Sequence, residues 1–251
     1  MRSTLVCALL LATLPALSAL GGARRFTYVY ETTTAAPGTF ELESWITWQT
    51  ARDDDRKVDR LDFRHEIEFG ITDRLQAAIY VADWSYQDGR SVEDVGTAYT
   101  GSAVELIYNL TNPQTSVIGS AIYGELKIGE DLVTFESKVL LDKHLGPVVL
   151  AYNASLEAEW EGRDLCERTG EFQQTLGASY EIKPQLLIGA EMLHEVVFPD
   201  WAKAERSIVA AGPNLSVRFG NWWATTTALA QLTNKAGEPN FQLRTIVGYS
   251  F

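Results

Sequence analysis

Between Thr39 and Thr50 apolar and polar residues alternate along the chain. Phe40, Leu42, Ile46 and Trp48 fall on one side of an extended segment, and Glu41, Glu43, Thr47 and Gln49 on the other, with Trp45 on the polar side. The alternation returns at Leu61, Phe63, Ile67 and Phe69 against Asp62, Arg64, Glu66 and Glu68. It returns again at Leu150, Tyr152, Ala154, Leu156, Ala158 and Trp160 against Asn153, Ser155, Glu157 and Glu159, and at Phe172, Leu176, Ala178 and Tyr180 against Glu171, Gln173, Thr175 and Ser179. A helix would scatter these faces, whereas a strand keeps them apart. With turn residues as punctuation, the pattern predicts strands over 39–50, 60–70, 74–86, 97–110, 115–128, 131–144, 147–161, 170–183, 185–198, 204–219, 222–233 and 239–251. Strand 222–233 has the least clear facing, because Trp222 and Trp223 are adjacent.

The connections alternate in character. Ile71 to Arg74, Thr111 to Gln114, Lys143 to Gly146, Lys183-Pro184 and Gly220-Asn221 are tight, whereas 51–60, 87–96, 162–170, 198–205 and 234–240 are mostly longer and more charged, with Gly129-Glu130 the short exception. Short turns at one end and long loops at the other characterise membrane-spanning barrels, and an even strand number returns both chain ends to the turn side. A secreted β-sandwich would alternate too. Against it stand long, even strands, most of which reach the roughly 9–11 residues needed to span a bilayer. Aromatics also fall near strand ends, at Trp48, Trp84, Tyr108, Trp160, Tyr180, Phe219 and Tyr249, where membrane interfaces place them. The expected fold is therefore all-β: a transmembrane antiparallel up-and-down β-barrel of about 12 strands over residues 39–251.

In the last segment Phe241, Leu243, Val247, Tyr249 and Phe251 share a face. A terminal phenylalanine with tyrosine two residues before it resembles the insertion signal of bacterial outer-membrane β-barrel proteins. Gly70-Ile71-Thr72-Asp73-Arg74-Leu75 resembles strand-turn-strand junctions of uncharacterised porin-like and transporter-like families of such barrels. The likeness spans about 40–251, is one of architecture and end motif, and carries over no functional residue. It implies Tyr249 and Phe251 as an assembly signal read by a barrel-assembly machinery, lipid as the partner of the outer face, and a Gram-negative outer membrane as the location. The other end agrees: Met1-Arg2-Ser3-Thr4, an apolar run from Leu5 to Leu14 and the small residues Gly21, Gly22 and Ala23 form the layout of a cleaved signal peptide over 1–23. Residues 24–38 are then an N-terminal periplasmic segment, in which Phe26, Tyr28 and Tyr30 alternate as an extra pairing segment or a tail.

The net charge is −12, which speaks against nucleic acid and anionic ligands. Cys7 lies in the signal segment and Cys166 in a loop-like stretch, so no intramolecular disulfide is expected. His65, His144 and His194 fall on different strands or turns, and none sits in a His-x-Ser-Asn-type lipase motif. His65 falls on the lipid face, where a local polar contact is expected. Histidine, Met192 and Cys166 are too scattered for a copper or zinc site, and Asp53-Asp54-Asp55 reads as a solvated charge run rather than a calcium loop. No enzyme, cofactor or metal is expected, and the sequence sets no oligomeric state.

Inward positions carry the remaining chemistry. With the apolar faces on lipid, the lumen-lining candidates are Glu41, Glu43, Arg64, Glu66, Glu68, Glu105, Glu125, Glu136, Lys138, Glu157, Glu159, Glu191 and Arg244, joined by Glu171, Glu195, Lys127 and Arg218. Such charges either form an ion-pair network that fills the lumen or line a water-filled passage in which carboxylates favour cations. The expected function is a passive channel or transporter for small, cationic solutes. The alternative is a closed structural or adhesion barrel acting through its acidic loops. A channel for acidic sugars is disfavoured by the scarcity of bases.

Overall fold

The computed structural model describes residues 22–92 and 95–251, so nearly all of the expected signal peptide lies outside the described residues. Twelve strands follow one another: β1 (Phe40–Thr50), β2 (Asp59–Thr72), β3 (Leu75–Asp88), β4 (Gly96–Thr111), β5 (Gly119–Ile128), β6 (Leu132–Leu145), β7 (Val148–Glu161), β8 (Glu167–Lys183), β9 (Leu186–Pro199), β10 (Ile208–Phe219), β11 (Trp222–Gln231) and β12 (Phe241–Ser250). Each pairs antiparallel with its sequence neighbour, and β1 closes on β12 from Glu41↔Ser250 to Thr50↔Phe241, leaving a barrel without edges. There is no helix among the described residues.

All twelve expected strands are present; β10 begins at Ile208 rather than 204, and the boundary differences at β5 and β8 have local causes. β5 begins at Gly119 because Asn112 winds the preceding turn, its carbonyl accepting the Ser116 N–H at 2.9 Å and its side chain the Gln114 N–H at 2.8 Å. The turn expected at Thr111 to Gln114 is thus a longer one. β8 begins at Glu167, three residues earlier than 170, since Trp160↔Arg168 and Glu161↔Glu167 continue the ladder. Two-residue turns close β6–β7 and β10–β11, each led by a glycine at positive φ, Gly146 (63°) and Gly220 (60°), a conformation that strains other residues.

The outer face carries Leu42, Ile46, Ile67, Val104, Leu126, Val139, Leu156, Ile188 and Leu215, all large, apolar and exposed. The inner face carries buried charge, the inverse of a water-soluble domain and the pattern of a barrel wrapped in lipid. Aromatics band both ends. Phe63 stacks on Trp84 at 3.8 Å and Trp48 meets Phe241 at the loop end, while Phe40 with Phe69, and Trp222 with Tyr249 and Phe251, lie at the turn end. The adjacent tryptophans divide: Trp222 points outward, and Trp223 inward, where its indole N–H donates to Glu41 at 2.8 Å. His65 on the outer face lies 3.1 Å from Ser44 Oγ, its cross-strand neighbour.

Residues 24–38, expected as a periplasmic segment, lie instead inside the barrel. They form neither a thirteenth strand nor a tail, because wall side chains satisfy their backbone groups one after another. Ser216 and Thr225 donate to the Arg24 carbonyl, Glu191 accepts the N–H groups of Thr27, Tyr28 and Val29, and Asn153 both accepts from and donates to Tyr30. Asp142 then accepts from Thr32, Asn109 donates to its carbonyl, and Gln76 accepts from Ala35, before a bridge at Pro37↔Gly70 delivers the chain to β1. The segment therefore follows the inner wall from β10 and β11 round to β2.

Candidate functional site

Register brings the glutamates together. Read straight across the ladder, the partners are Glu41↔Glu68, Glu68↔Ala78, Ala78↔Glu105, Glu105↔Glu125, Glu125↔Glu136, Glu136↔Glu157 and Glu157↔Glu171. Adjacent strands lie about 4.8 Å apart, so this is a row of carboxylates one strand spacing from the next, broken at Ala78 alone. The strands are staggered, and the row climbs. Glu41 is one residue from the turn end of β1, whereas Glu171 lies twelve residues from the turn end of β8. Like charges opposite one another are destabilising, so an acidic stripe this long needs compensation or function.

Compensation is concentrated in the middle of the row. Arg64 reaches Glu125 at 2.8 Å and Asp83 at 3.0 Å, Lys127 reaches Asp83 at 3.1 Å, and Lys138 reaches Glu136 at 3.0 Å. Tyr80 donates to Glu105 at 2.5 Å and Tyr123 to Glu125 at 2.6 Å. Towards the loop end Glu157, Glu159 and Glu171 have no ion-pair partner among the described residues, Glu159 receiving the Thr134 hydroxyl and Glu171 the Gln173 amide. Towards the turn end Glu41 accepts from Ser250 and Trp223, while Glu43, Glu66 and Glu68 cluster beneath Arg24. Glu191 lies apart, on β9, as the anchor of the inner segment, and Arg244 on β12 donates to Thr47 and stacks over Tyr28 at 4.0 Å. Of the thirteen candidates, Glu41, Glu68, Glu105, Glu125, Glu136 and Glu157 stand in the row, Glu43 and Glu66 join Glu68 in the cluster, Glu191 is the anchor, and Arg64, Lys138, Glu159 and Arg244 belong to none of the three.

The inner segment supplies what the strand pattern does not. Tyr30 reaches the middle of the lumen, its ring 5.1 Å from Tyr123 and 6.5 Å from Trp45, with the Arg24 guanidinium stacked 3.9 Å above it and Lys138 at 4.7 Å. The Tyr30 hydroxyl donates to Glu105 at 3.4 Å. Tyr30 lines two cavities: one of about 250 Å³, with Gln49, Glu136, Gln173 and Glu195, and one of about 350 Å³ towards the turn end, with Glu68, Gln76, His144 and Arg218. A third, of about 510 Å³, lies on the loop side among Asp62, Asp83, Lys127, Glu159 and Glu161. The lumen is therefore a series of polar chambers with Tyr30 as a partition.

Sequence reasoning missed Gln76, Asn109, Asp142 and Asn153, which hold the inner segment. Their period-two position gives their facing, but nothing in it says that a second strip of chain lies against them.

The acidic run Asp53-Asp54-Asp55 is also more than a solvated charge run. Asp55 accepts the N–H groups of Arg90 and Ser91 at 2.5 and 2.8 Å, Asp54 pairs with Arg52 at 2.7 Å, and Asp53 accepts from Asn240 at 2.8 Å. Three loops are braced together, because Asp55 and Asp53 find donors on neighbouring segments while Asp54 is paired within its own loop. Cys166 is a free, exposed thiol.

A closed, twelve-stranded, up-and-down barrel with an apolar outside and a charged inside has the outer-membrane β-barrel fold. The chain belongs to a family of unknown function, DUF6662, whose model matches residues 18–245. No curated protein matches it. Among solved structures it is similar to an outer membrane channel from Pseudomonas putida F1, with a TM-score of 0.63 at 13% identity over 90% of this chain and 100% of that one. It is also similar to the NanC porin, at 0.58 and 10% over 84% and 98%, and to the translocator domain of the autotransporter NalP from Neisseria meningitidis, at 0.52 and 13% over 85% and 88%. At such identities the likeness is one of fold.

Proposed function

We propose that the protein is a passive channel of the bacterial outer membrane for small solutes, favouring cations, and closed in this conformation by its own N-terminal segment. The observation that carries the reading is the climbing carboxylate row. It offers successive negative sites from the turn end to the loop end, one strand spacing apart except at Ala78, and carboxylates lining a passage raise the barrier for anions. The likeness to an outer membrane channel and a porin supports the same reading. The apolar outer face supports the membrane location, reached after removal of a signal peptide, with Tyr249 and Phe251 as the feature that the assembly machinery reads. Histidine placement favours no catalysis: His65 faces outward, and His144 and His194 stand on β6 and β9 with different partners.

Opening requires residues 24–36 to leave the Tyr30 partition. They are held by side-chain contacts rather than by strand pairing, so their release leaves the barrel ladder whole. The test is single-channel recording in planar bilayers across a salt gradient, comparing the full protein, a variant lacking residues 26–35, and Glu157→Gln with Glu171→Gln. The full protein should show small, infrequent openings. The shortened barrel should conduct steadily with a reversal potential of cationic sign, and the paired glutamine variant should lower its cation-to-anion permeability ratio several-fold. A shortened barrel that inserts and stays silent would overturn the channel reading. It would favour the closed barrel acting through its loops, which the packed inner segment and the braced loops also suit.

A further inference from the structure

Glu43 and Glu66 face each other across β1 and β2, and Glu68 follows two residues along on the same side. One carboxylate oxygen from each lies within 4.8 Å of the other two, and the three residues are 0%, 1% and 7% exposed. Glu43 Oε2 accepts the Trp45 indole N–H at 2.8 Å, but Glu43 Oε1 and Glu66 Oε2 are buried with no hydrogen-bond partner. The neighbouring cation is Arg24, whose Nη1 stands 3.7 Å from Glu43 and whose Nη2 also lacks a partner. Its guanidinium is instead held by stacking on Tyr30 and Trp45, at 3.9 and 4.5 Å.

Buried carboxylates with orphaned oxygens are costly unless a cation or a dense set of donors meets them. Arg24 is shared with two aromatic rings, and Arg64, the other arginine acting on Glu66, spends its ion pairs on Glu125 and Asp83, which is poor compensation for three carboxylates. We infer that Glu43, Glu66 and Glu68 form a binding site for a divalent cation of the calcium type. The donor set is all oxygen, which selects hard cations over copper or zinc, and carboxylates on a curved wall suit the adaptable coordination of calcium better than the strict octahedron of magnesium. Glu68 lines the cavity of about 350 Å³ at the turn end, which gives the ion a way in and water to complete its shell. The bound cation would sit between wall and inner segment, sharing the negative field with Arg24. The site depends on the lumen-facing register and not on conduction.

Trp45 makes the site readable, since its indole touches a proposed ligand and can sensitise terbium luminescence. The purified, detergent-solubilised full-length barrel is titrated with terbium under tryptophan excitation, and calcium is then added. A saturable signal displaced by calcium is expected. Glu66→Gln and Glu68→Gln, each checked for the folded, heat-modifiable form on gels, should weaken binding at least tenfold, whereas Glu157→Gln should not change it. Trp45→Phe should lose the sensitised signal yet still bind calcium by calorimetry. Absent saturable binding, or affinity indifferent to both Glu66→Gln and Glu68→Gln, overturns the site. A barrel that binds calcium but never conducts would leave the site standing and remove only the channel reading.

Discussion

Glu191 shows how a single inward side chain organises the lumen. Its two oxygens accept three successive backbone N–H groups of Thr27, Tyr28 and Val29, the Asn214 amide at 3.0 Å and the Thr227 hydroxyl. Hydrogen bonds to a charged group contribute about 1.5–3 kcal/mol each, and a glutamine turns one acceptor into a donor facing donors. Glu191→Gln should therefore release the inner segment about 10- to 100-fold more often. The check is the maleimide labelling rate of Val29→Cys in a Cys166→Ser background, and an unchanged rate would mean that the other wall contacts suffice. Asp55 plays the matching part outside the membrane. N–H groups, Ser91's foremost and then those of Lys57 and Arg90, hold its carboxyl below the ordinary aspartate value. A depressed folded value means that the brace is present above the ordinary value of about 3.9 and is lost as pH falls through the depressed one. The protection factors of the Arg90 and Ser91 amides, measured against the exchange of unstructured peptide at the same pH, should accordingly be high at pH 5–7 and fall only in stronger acid, and Asp55→Ala should remove the protection at every pH. The facing of Glu191 was legible from its place in an alternating strand, but its role was not, because the backbone groups it holds are 162–164 residues away in the chain.

At the scale of elements, alternation located all twelve strands, since lipid outside and polar chambers inside impose opposite demands on successive residues. It missed the inner segment because a strip of chain satisfied by side chains needs no periodicity of its own. Phe26, Tyr28 and Tyr30 do alternate, but their neighbours are wall residues from different strands. Gly177 on β8 shows the fit: a Cβ added there would lie 2.7 Å from the Phe26 ring, whereas one at Gly124 on β5 would meet nothing within 4 Å. Crowding a packed interior costs about 1–3 kcal/mol, while a substitution without contacts stays within about 0.5 kcal/mol. Gly177→Ala should speed labelling at Val29→Cys while leaving the barrel's thermal transition nearly in place, since the Gly177 backbone pairing survives. Gly124→Ala should change neither. If Gly177→Ala instead lowers the thermal transition strongly without exposing Val29, Phe26 belongs to the barrel core rather than to a separable segment.

For the whole molecule, the decisive quantity is register, and register is what single strands do not reveal. Each glutamate of the climbing row was identifiable as inward-facing, yet nothing local aligns Glu105, Glu125, Glu136 and Glu157 across four strands, because that alignment depends on turn lengths and on the closure of β1 on β12. Alignment turns scattered carboxylates into one electrostatic object, and such an object has a characteristic response to salt. Its charges lie about 4.8 Å apart along the row, so at 0.1 M salt, where screening acts over about 10 Å, neighbouring fields overlap into the passage; at 1 M the range is about 3 Å and each carboxylate acts alone. The barrel lacking residues 26–35 should therefore show a strong cation preference at 0.1 M that falls several-fold by 1 M, read from reversal potentials at a fixed salt ratio. Glu157→Gln with Glu171→Gln should flatten that dependence, because these residues carry no paired base to offset their loss. A permeability ratio that ignores salt would place selectivity in the width of the chambers and the hydrogen bonds of the β9–β12 wall, and would deny the row its electrostatic part.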